Sequence, residues 1–211
     1  MRPAGRFRTI SRRDALSFGV ASVTIGIVMT STSGIAAADM PGPAADTPTP
    51  TRWAEAVELE GAPNLHRVTP TFYRSAQPTE EGFANLSGKL GVKSIVSLRA
   101  FHPDDVLAGG NDLMLTRIPI HTWNIEDEDV VKALRAVLQA QKHGPVLLHC
   151  QHGADRTGLI SALYRVIVEG WSKDDALNEM RGGEFGYHAV WGNIPRYLKT
   201  ADIPLLKAAV E

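Results

Sequence analysis

The stretch PVLLHCQHGADRTGLISALYRV, residues 145–166, decides the fold. Val146–His149 is a short aliphatic run that follows the break at Gly144-Pro145, the pattern of a central strand buried on both faces. From Thr157 to Glu169 the apolar residues recur at helical spacing, and Gly170 supplies the stop. Strand and helix are joined by the loop Cys150–Arg156, which contains Gly153. A loop wrapped in this way at a helix N-terminus aims backbone N–H groups inward, and the partial positive charge of the helix end adds to them. Phosphate is the natural occupant. The same field favours a thiolate at Cys150, because an ordinary thiol, titrating near about 8.5, stays mostly protonated at neutral pH. Arg156 adds a planar, permanently charged fork suited to two phosphoryl oxygens. Thr157 is placed for its hydroxyl to hydrogen-bond the sulfur and ease its departure from a phosphocysteine.

Outward from this unit, strand patterns fall at Phe72–Arg74, Ser94–Leu98 and Leu113–Ile118. Helix patterns fall at Glu80–Leu90 behind a Thr79 cap, at Asp129–Gln141, at Lys173–Met180 behind a Ser172 cap, and across Ile194–Val210. Short strands alternating with longer helices predict an α/β domain over residues 53–211, with a parallel or mixed central sheet of about four to five strands flanked by helices. There is no internal repeat.

The N-terminus reads differently. Arg2, Arg6, Arg8, Arg12 and Arg13 precede the first acidic residue, Asp14, and the run Ala15–Ala38 is weakly apolar and ends on Ala36-Ala37-Ala38. Residues 1–38 thus have the three parts of an export signal, with the paired arginines of the twin-arginine type, and predict a periplasmic or extracellular protein with no stable membrane insertion after cleavage. The run is too diluted by Gly, Ser and Thr for a membrane span. Residues 39–52 are a Pro/Thr-rich linker. Removing residues 1–38, with five arginines and one aspartate, takes the formal charge from −1 to −5, which argues against nucleic acid as a partner. Cys150 is the single cysteine, so no intrachain disulfide forms and the domain relies on its core.

The segment HCQHGADRTG (149–158) resembles the active-site loop of the protein tyrosine and dual-specificity phosphatases, H-C-x5-R-[ST]-G. Between Asn64 and Tyr197 the chain is similar to bacterial members of the dual-specificity branch, through FYRSAQP (72–78), IVSLR (95–99), RIPI (117–120) and GWSKDDALNEM (170–180). The resemblance implies a phosphomonoester hydrolase with Cys150 as nucleophile and Arg156 as phosphate ligand. It implies Gln151, His152, Gly153, Ala154 and Asp155 as the amide cradle, with His149 supporting the loop from below.

Cleavage also needs a proton for the departing oxygen, worth typically ~10²–10⁴ in rate. In the family an Asp on an upstream loop supplies it. Here that loop, HTWNIEDED (121–129), offers Glu126, Asp127, Glu128 and Asp129, among which spacing does not choose. Asp127 is favoured as lying before the helix, and Asp155, inside the phosphate loop, is the other candidate. Trp123 is expected to wall the cleft, and Arg74 and Arg99 to brace the sheet. The absence of lysine between Gln151 and Asp155 tilts the substrate from inositol phosphates toward phosphoprotein, with phosphotyrosine and phosphoserine or threonine both within reach. The seven histidines show no ligand spacing, so neither metal nor cofactor is expected in the reaction. An exported thiol redox sensor, a Cys–Arg rhodanese-like or arsenate-reducing enzyme and a non-catalytic phosphoprotein-binding module are the alternatives. The oligomeric state is left open.

Overall fold

The computed structural model describes residues 52–211; the export signal expected over 1–38 and the expected linker as far as residue 51 lie outside the described residues. In chain order the elements are β1 (Glu55–Ala56), β2 (His66–Thr69), β3 (Phe72–Ser75), α1 (Glu80–Leu90), β4 (Ser94–Ser97), β5 (Met114–Arg117), α2 (Asp127–Gln141), β6 (Val146–His149), α3 (Asp155–Ile167), α4 (Lys173–Gly182), α5 (Asn193–Thr200) and α6 (Ile203–Val210). The sheet has six strands in the order β1-β2-β3-β6-β4-β5. The expectation of four to five strands is corrected by β1 and β2, an antiparallel addition at one edge. Their sequences, EA and HRVT, are short and half polar, and β2 carries an irregularity between Arg67 and Thr69, so no clean period-2 signal marks them.

Strands β3, β6, β4 and β5 run parallel, with β6 between β3 and β4. All four residues of β6 are buried. Side chains alternate across the sheet: Val146 and Leu148 join the core formed with α2 to α6, whereas Leu147 joins Phe83, Leu86 and Ile95 on the α1 side. Burying each of these leucines fully contributes about 1.5–3 kcal/mol. Helix α1 starts where its cap dictates, with Thr79 accepting from the Gly82 N–H, and α4 likewise with Ser172 accepting from Asp175. The single helical stretch expected over 194–210 is two helices. Asp202 caps α6 and Pro204 sits in its first turn, so the chain breaks at Ala201.

A buried ion pair ties α3 to α4. Arg165 donates from Nε and Nη2 to Glu179 at 3.0 and 2.8 Å, and from Nη1 to Glu169 at 2.6 Å. Glu179 also accepts the Ala54 N–H at 2.7 Å, fastening the N-terminal strand.

Candidate active site

The sheet delivers β6 to the loop Cys150–Arg156 at its C-terminal end, and α3 leaves from the far side. Cys150 is 2% exposed and sits at the mouth of the strand. The N-cap of α3 is Ala154, which has no side-chain acceptor, so the first-turn N–H groups are not capped by their own chain. An anion seated in the loop would satisfy them.

The loop's shape is imposed from outside. The carbonyl of Gln151 accepts from the Gln77 N–H at 3.2 Å, that of His152 from Asn64 Nδ2 at 2.8 Å, and that of Gly153 from Arg74 Nη2 at 2.6 Å. In a trans peptide the C=O and the following N–H point opposite ways. Three consecutive carbonyls held on the outer side therefore turn the N–H groups of His152, Gly153 and Ala154 to the inner side. Gly153 makes the bend with φ +70°, and its Cα lies so close to β3 that a Cβ would fall 2.5 Å from Ala76 N and from Ser75 C. Only glycine fits there.

Arg156 donates from Nη1 to the carbonyls of Leu98, at 3.1 Å, and Ile120, at 3.2 Å, which fixes the guanidinium against the ends of β4 and β5. Its Nε and the hydroxyl of Thr157 are buried with no hydrogen-bond partner among the described residues. Unpaired buried donors are costly, and both belong to the groups expected to meet a phosphoryl group and a thiolate. Beneath the loop, Arg74 is 2% exposed and its guanidinium stacks 3.7 Å from the centre of the Phe185 ring. Burial lowers its pKa to about 10, offset in part by Glu179 and Cys150, which leaves it charged at neutral pH. It braces the phosphate loop rather than an acidic partner on the sheet.

Sequence reasoning missed Asp104, which lies in the β4–β5 connection. Asp104 Oδ2 is 2.8 Å from His149 Nε2, and its Oδ1 accepts from Gln77 Nε2 at 2.9 Å. Burial pushes its carboxyl upward, but the hydrogen bonds and charge of His149 with the Gln77 contact outweigh this and hold it below the usual range. His149 thus has a carboxylate behind it, with Nδ1 3.2 Å from the Cys150 carbonyl. Gln77 extends the chain to Arg99 Nη1 at 2.7 Å. No periodicity marks a loop aspartate, so only the fold reveals it.

A cleft of about 240 Å³ opens beside the loop, lined by Arg99, Phe101, His121, Trp123, Gln151 and Arg156 among others. Trp123 is exposed and stacks on His121 with ring centres 4.8 Å apart, forming the expected wall. Among the described residues no carboxylate lines this cleft. Asp127 opens α2 and its Oδ1 accepts from Tyr197 Oη at 2.5 Å. Burial and that carboxylate raise the tyrosine's pKa. Glu126 accepts from Asn124, and Glu128 pairs with Lys132 on the surface. Asp155 is buried as the first residue of α3, with Oδ1 accepting the His188 N–H at 3.0 Å and Oδ2 at 2.8 Å from His188 Nδ1. The helix expected from Thr157 thus begins two residues earlier, with Asp155 and Arg156 in its first turn. A larger cleft, about 880 Å³, lies near Trp53, Arg165 and Trp171, and none of its lining residues belongs to the loop.

A thiol at the floor of an amide-lined loop, a fixed arginine and a mixed α/β sheet together define a cysteine-dependent phosphatase. Residues 53–190 match the family described as DSP-PTPase phosphatase fused to NAD+ kinase. Over 169 residues the chain is 39% identical to the dual specificity protein phosphatase TpbA of Pseudomonas aeruginosa strain UCBPP-PA14, covering 79% of this chain and 76% of that protein. A crystal structure of P. aeruginosa TpbA, a Cys-to-Ser variant in complex with pTyr, matches with a TM-score of 0.69 at 37% identity, over 79% of this chain and 98% of that one. The core catalytic domain of the PP-IP phosphatase SIW14 from S. cerevisiae, in complex with citrate, matches with a TM-score of 0.60 at 25% identity, over 72% and 93%. The chain belongs to the bacterial dual-specificity protein phosphatases.

Proposed function

We propose that this phosphatase hydrolyses phosphotyrosine in exported proteins, by way of a phosphocysteine, with the Asp155–His188 pair supplying the proton. The observation that carries the reading is the loop itself, whose carbonyls are pinned outward by Gln77, Asn64 and Arg74. Phosphotyrosine is favoured by the pTyr complex of the TpbA relative and by the aromatic cleft wall of Phe101, His121 and Trp123, which suits a phenyl ring. Phosphoserine and phosphothreonine, being shorter, leave that wall unused.

In the first step Cys150 Sγ attacks phosphorus as the bond to the phenolic oxygen breaks, and Arg156 with the loop amides takes up the charge on the phosphoryl oxygens. The departing oxygen receives its proton from the pair. Asp127 is the less suitable donor, because it stands at the start of α2 bonded to Tyr197, whereas Asp155 adjoins Arg156 in the phosphate loop and is backed by His188. In the second step water attacks the phosphocysteine and gives its proton back to the Asp155–His188 pair, the S–P bond breaks to release phosphate, and the Thr157 hydroxyl stabilises the departing thiolate.

The test is hydrolysis of phosphotyrosine peptide by the purified protein with EDTA present. Cys150→Ser should abolish turnover while phosphate still binds. Asp155→Asn should lower kcat by about 10²–10⁴ and remove the basic limb of the pH profile, whereas Asp127→Asn should leave that limb in place. The opposite pattern would reinstate Asp127. Faster turnover of inositol pyrophosphate than of phosphotyrosine would overturn the substrate.

Residues 1–38 are proposed to act as a twin-arginine-type signal placing the enzyme in the periplasm. Protein recovered from the periplasmic fraction with an N-terminus near Asp39 would support this, and full-length chain retained in membranes would refute it. No helix of the described residues is long and apolar enough to cross a membrane.

A further inference from the structure

The proton-donating pair has a third neighbour. His152, on the phosphate loop, has its ring centre 5.3 Å from that of His188, and His152, Asp155 and His188 each offer a ligand atom, all lying within 4.8 Å of one another. Two segments far apart in the sequence meet here: the loop running into α3, which carries His152 and Asp155, and the connection from α4 to α5, which carries His188. We infer that these three side chains form a binding site for a zinc-like divalent cation on the flank of the phosphate loop, and that its occupancy silences the phosphatase.

The chemistry of the donors sets the class of ion. Two imidazoles and one carboxylate suit Zn²⁺ and its first-row neighbours rather than Mg²⁺ or Ca²⁺, which prefer oxygen. Bonds of about 2.0–2.2 Å to a tetrahedral zinc put ligand atoms about 3.3–3.5 Å apart. The 2.8 Å between Asp155 Oδ2 and His188 Nδ1 and the 4.8 Å limit of the trio bracket that spacing. His152 is exposed and His188 half-exposed, so both rings are free to turn by the small amount required. Asp155 is buried and already held in place, as an anchoring ligand should be.

What brings the two histidines together is not the pair itself. Asn64 Nδ2 bonds at once to the His152 carbonyl, at 2.8 Å, and to the Phe185 carbonyl, at 2.9 Å. Arg74 repeats the link, with Nη2 on the Gly153 carbonyl and its guanidinium face on the Phe185 ring. The loop carrying His152 and the connection carrying His188 are therefore fastened twice, independently of any ion. Little ordering remains to be done on binding.

Three protein ligands leave a fourth position open, which water or a phosphate oxygen can fill. Ligation takes up the Asp155 carboxylate and the His188 ring, the two groups that the proposed mechanism uses. The inhibitory half of the inference rests on that pair being the proton source. The binding half does not.

The test separates the two. Zinc chloride is titrated calorimetrically into the full-length Cys150→Ser protein in phosphate-free buffer, which removes the thiolate as a competing ligand. One zinc per chain is expected, with affinity lowered about tenfold or more by His152→Ala and by His188→Ala. Thermal unfolding midpoints confirm that each variant is folded. Co²⁺ in place of zinc should show the visible absorption of a tetrahedral site, lost in both variants. The site is refuted if the Cys150→Ser protein binds no zinc, or if neither histidine change weakens binding. In the active enzyme, zinc should inhibit phosphotyrosine peptide hydrolysis, and His152→Ala should relieve the inhibition measured against its own metal-free rate. Zinc bound at the site without inhibition would overturn the silencing and leave the proton source to be judged by Asp155→Asn.

Discussion

Replacing Gly153 with alanine tests how tightly the phosphate loop is built. Two costs act at this position. The left-handed backbone, φ +70°, is disfavoured for an L side chain by about 1–2 kcal/mol. The added Cβ would also fall 2.5 Å from Ala76 N and Ser75 C and 2.6 Å from Ser75 O, all backbone atoms of the β3 end that no side-chain rotation can move. Relieving an overlap of this kind costs about a further 1–3 kcal/mol. Together they predict a loss of about 2–5 kcal/mol in urea unfolding, a large share of the ~5–15 kcal/mol typical of a domain. Gly170 is the internal control, since its φ is +74° and nothing lies within 4 Å of its Cβ position. Gly170→Ala should cost only the backbone term. The overlap must be relieved by moving the loop, and a displacement near 1 Å lowers kcat/KM about 10²-fold. Equal unfolding midpoints for the two variants, with phosphatase activity of Gly153→Ala within twofold of wild type, would refute the close approach of loop and strand.

Arg165→Met should destabilise the domain by about 3–5 kcal/mol in denaturant unfolding, because Glu179 is left buried and charged, and Glu179→Leu in the same chain should recover part of the loss. Thr157→Ala should accumulate phosphocysteine, seen as a mass increase in rapidly quenched samples, and Thr157→Ser should restore breakdown. Asp104 has a depressed folded pKa, so its contribution is present above the unfolded value of about 3.9 and is lost as pH falls through the folded one. Wild type should therefore lose more stability than Asp104→Asn when urea unfolding is compared between about pH 6 and pH 3.

The parts of the fold legible in the sequence were those fixed by local chemistry. Val146–His149 has the apolar run of a doubly buried strand, and Thr79 and Ser172 cap the helices they were expected to cap. Strands β1 and β2 escaped because their stability comes from pairing, β2 with β3 and β1 with β2, rather than from a pattern of their own. The Asp202 cap and Pro204 were in view as letters, but the continuing apolar spacing on either side hid the break before α6. At the site, Cys150, Arg156 and Thr157 are contiguous, so one loop displays them. Asp104, Asn64 and His188 act across long stretches of chain, and their signal exists only once β3, β4 and the α4–α5 connection have packed around β6.

That dependence has a consequence for fragments and for folding. The carbonyls of the loop are held by Asn64, Arg74 and Gln77, all of which precede α1, and Arg156 is moored to Leu98 and Ile120. A peptide spanning the motif, or a C-terminal piece starting at β6, carries every reacting group yet has nothing to turn its amides inward. Catalytic competence therefore needs the N-terminal strands joined to the C-terminal helices, and recovery of turnover during refolding reports that joining.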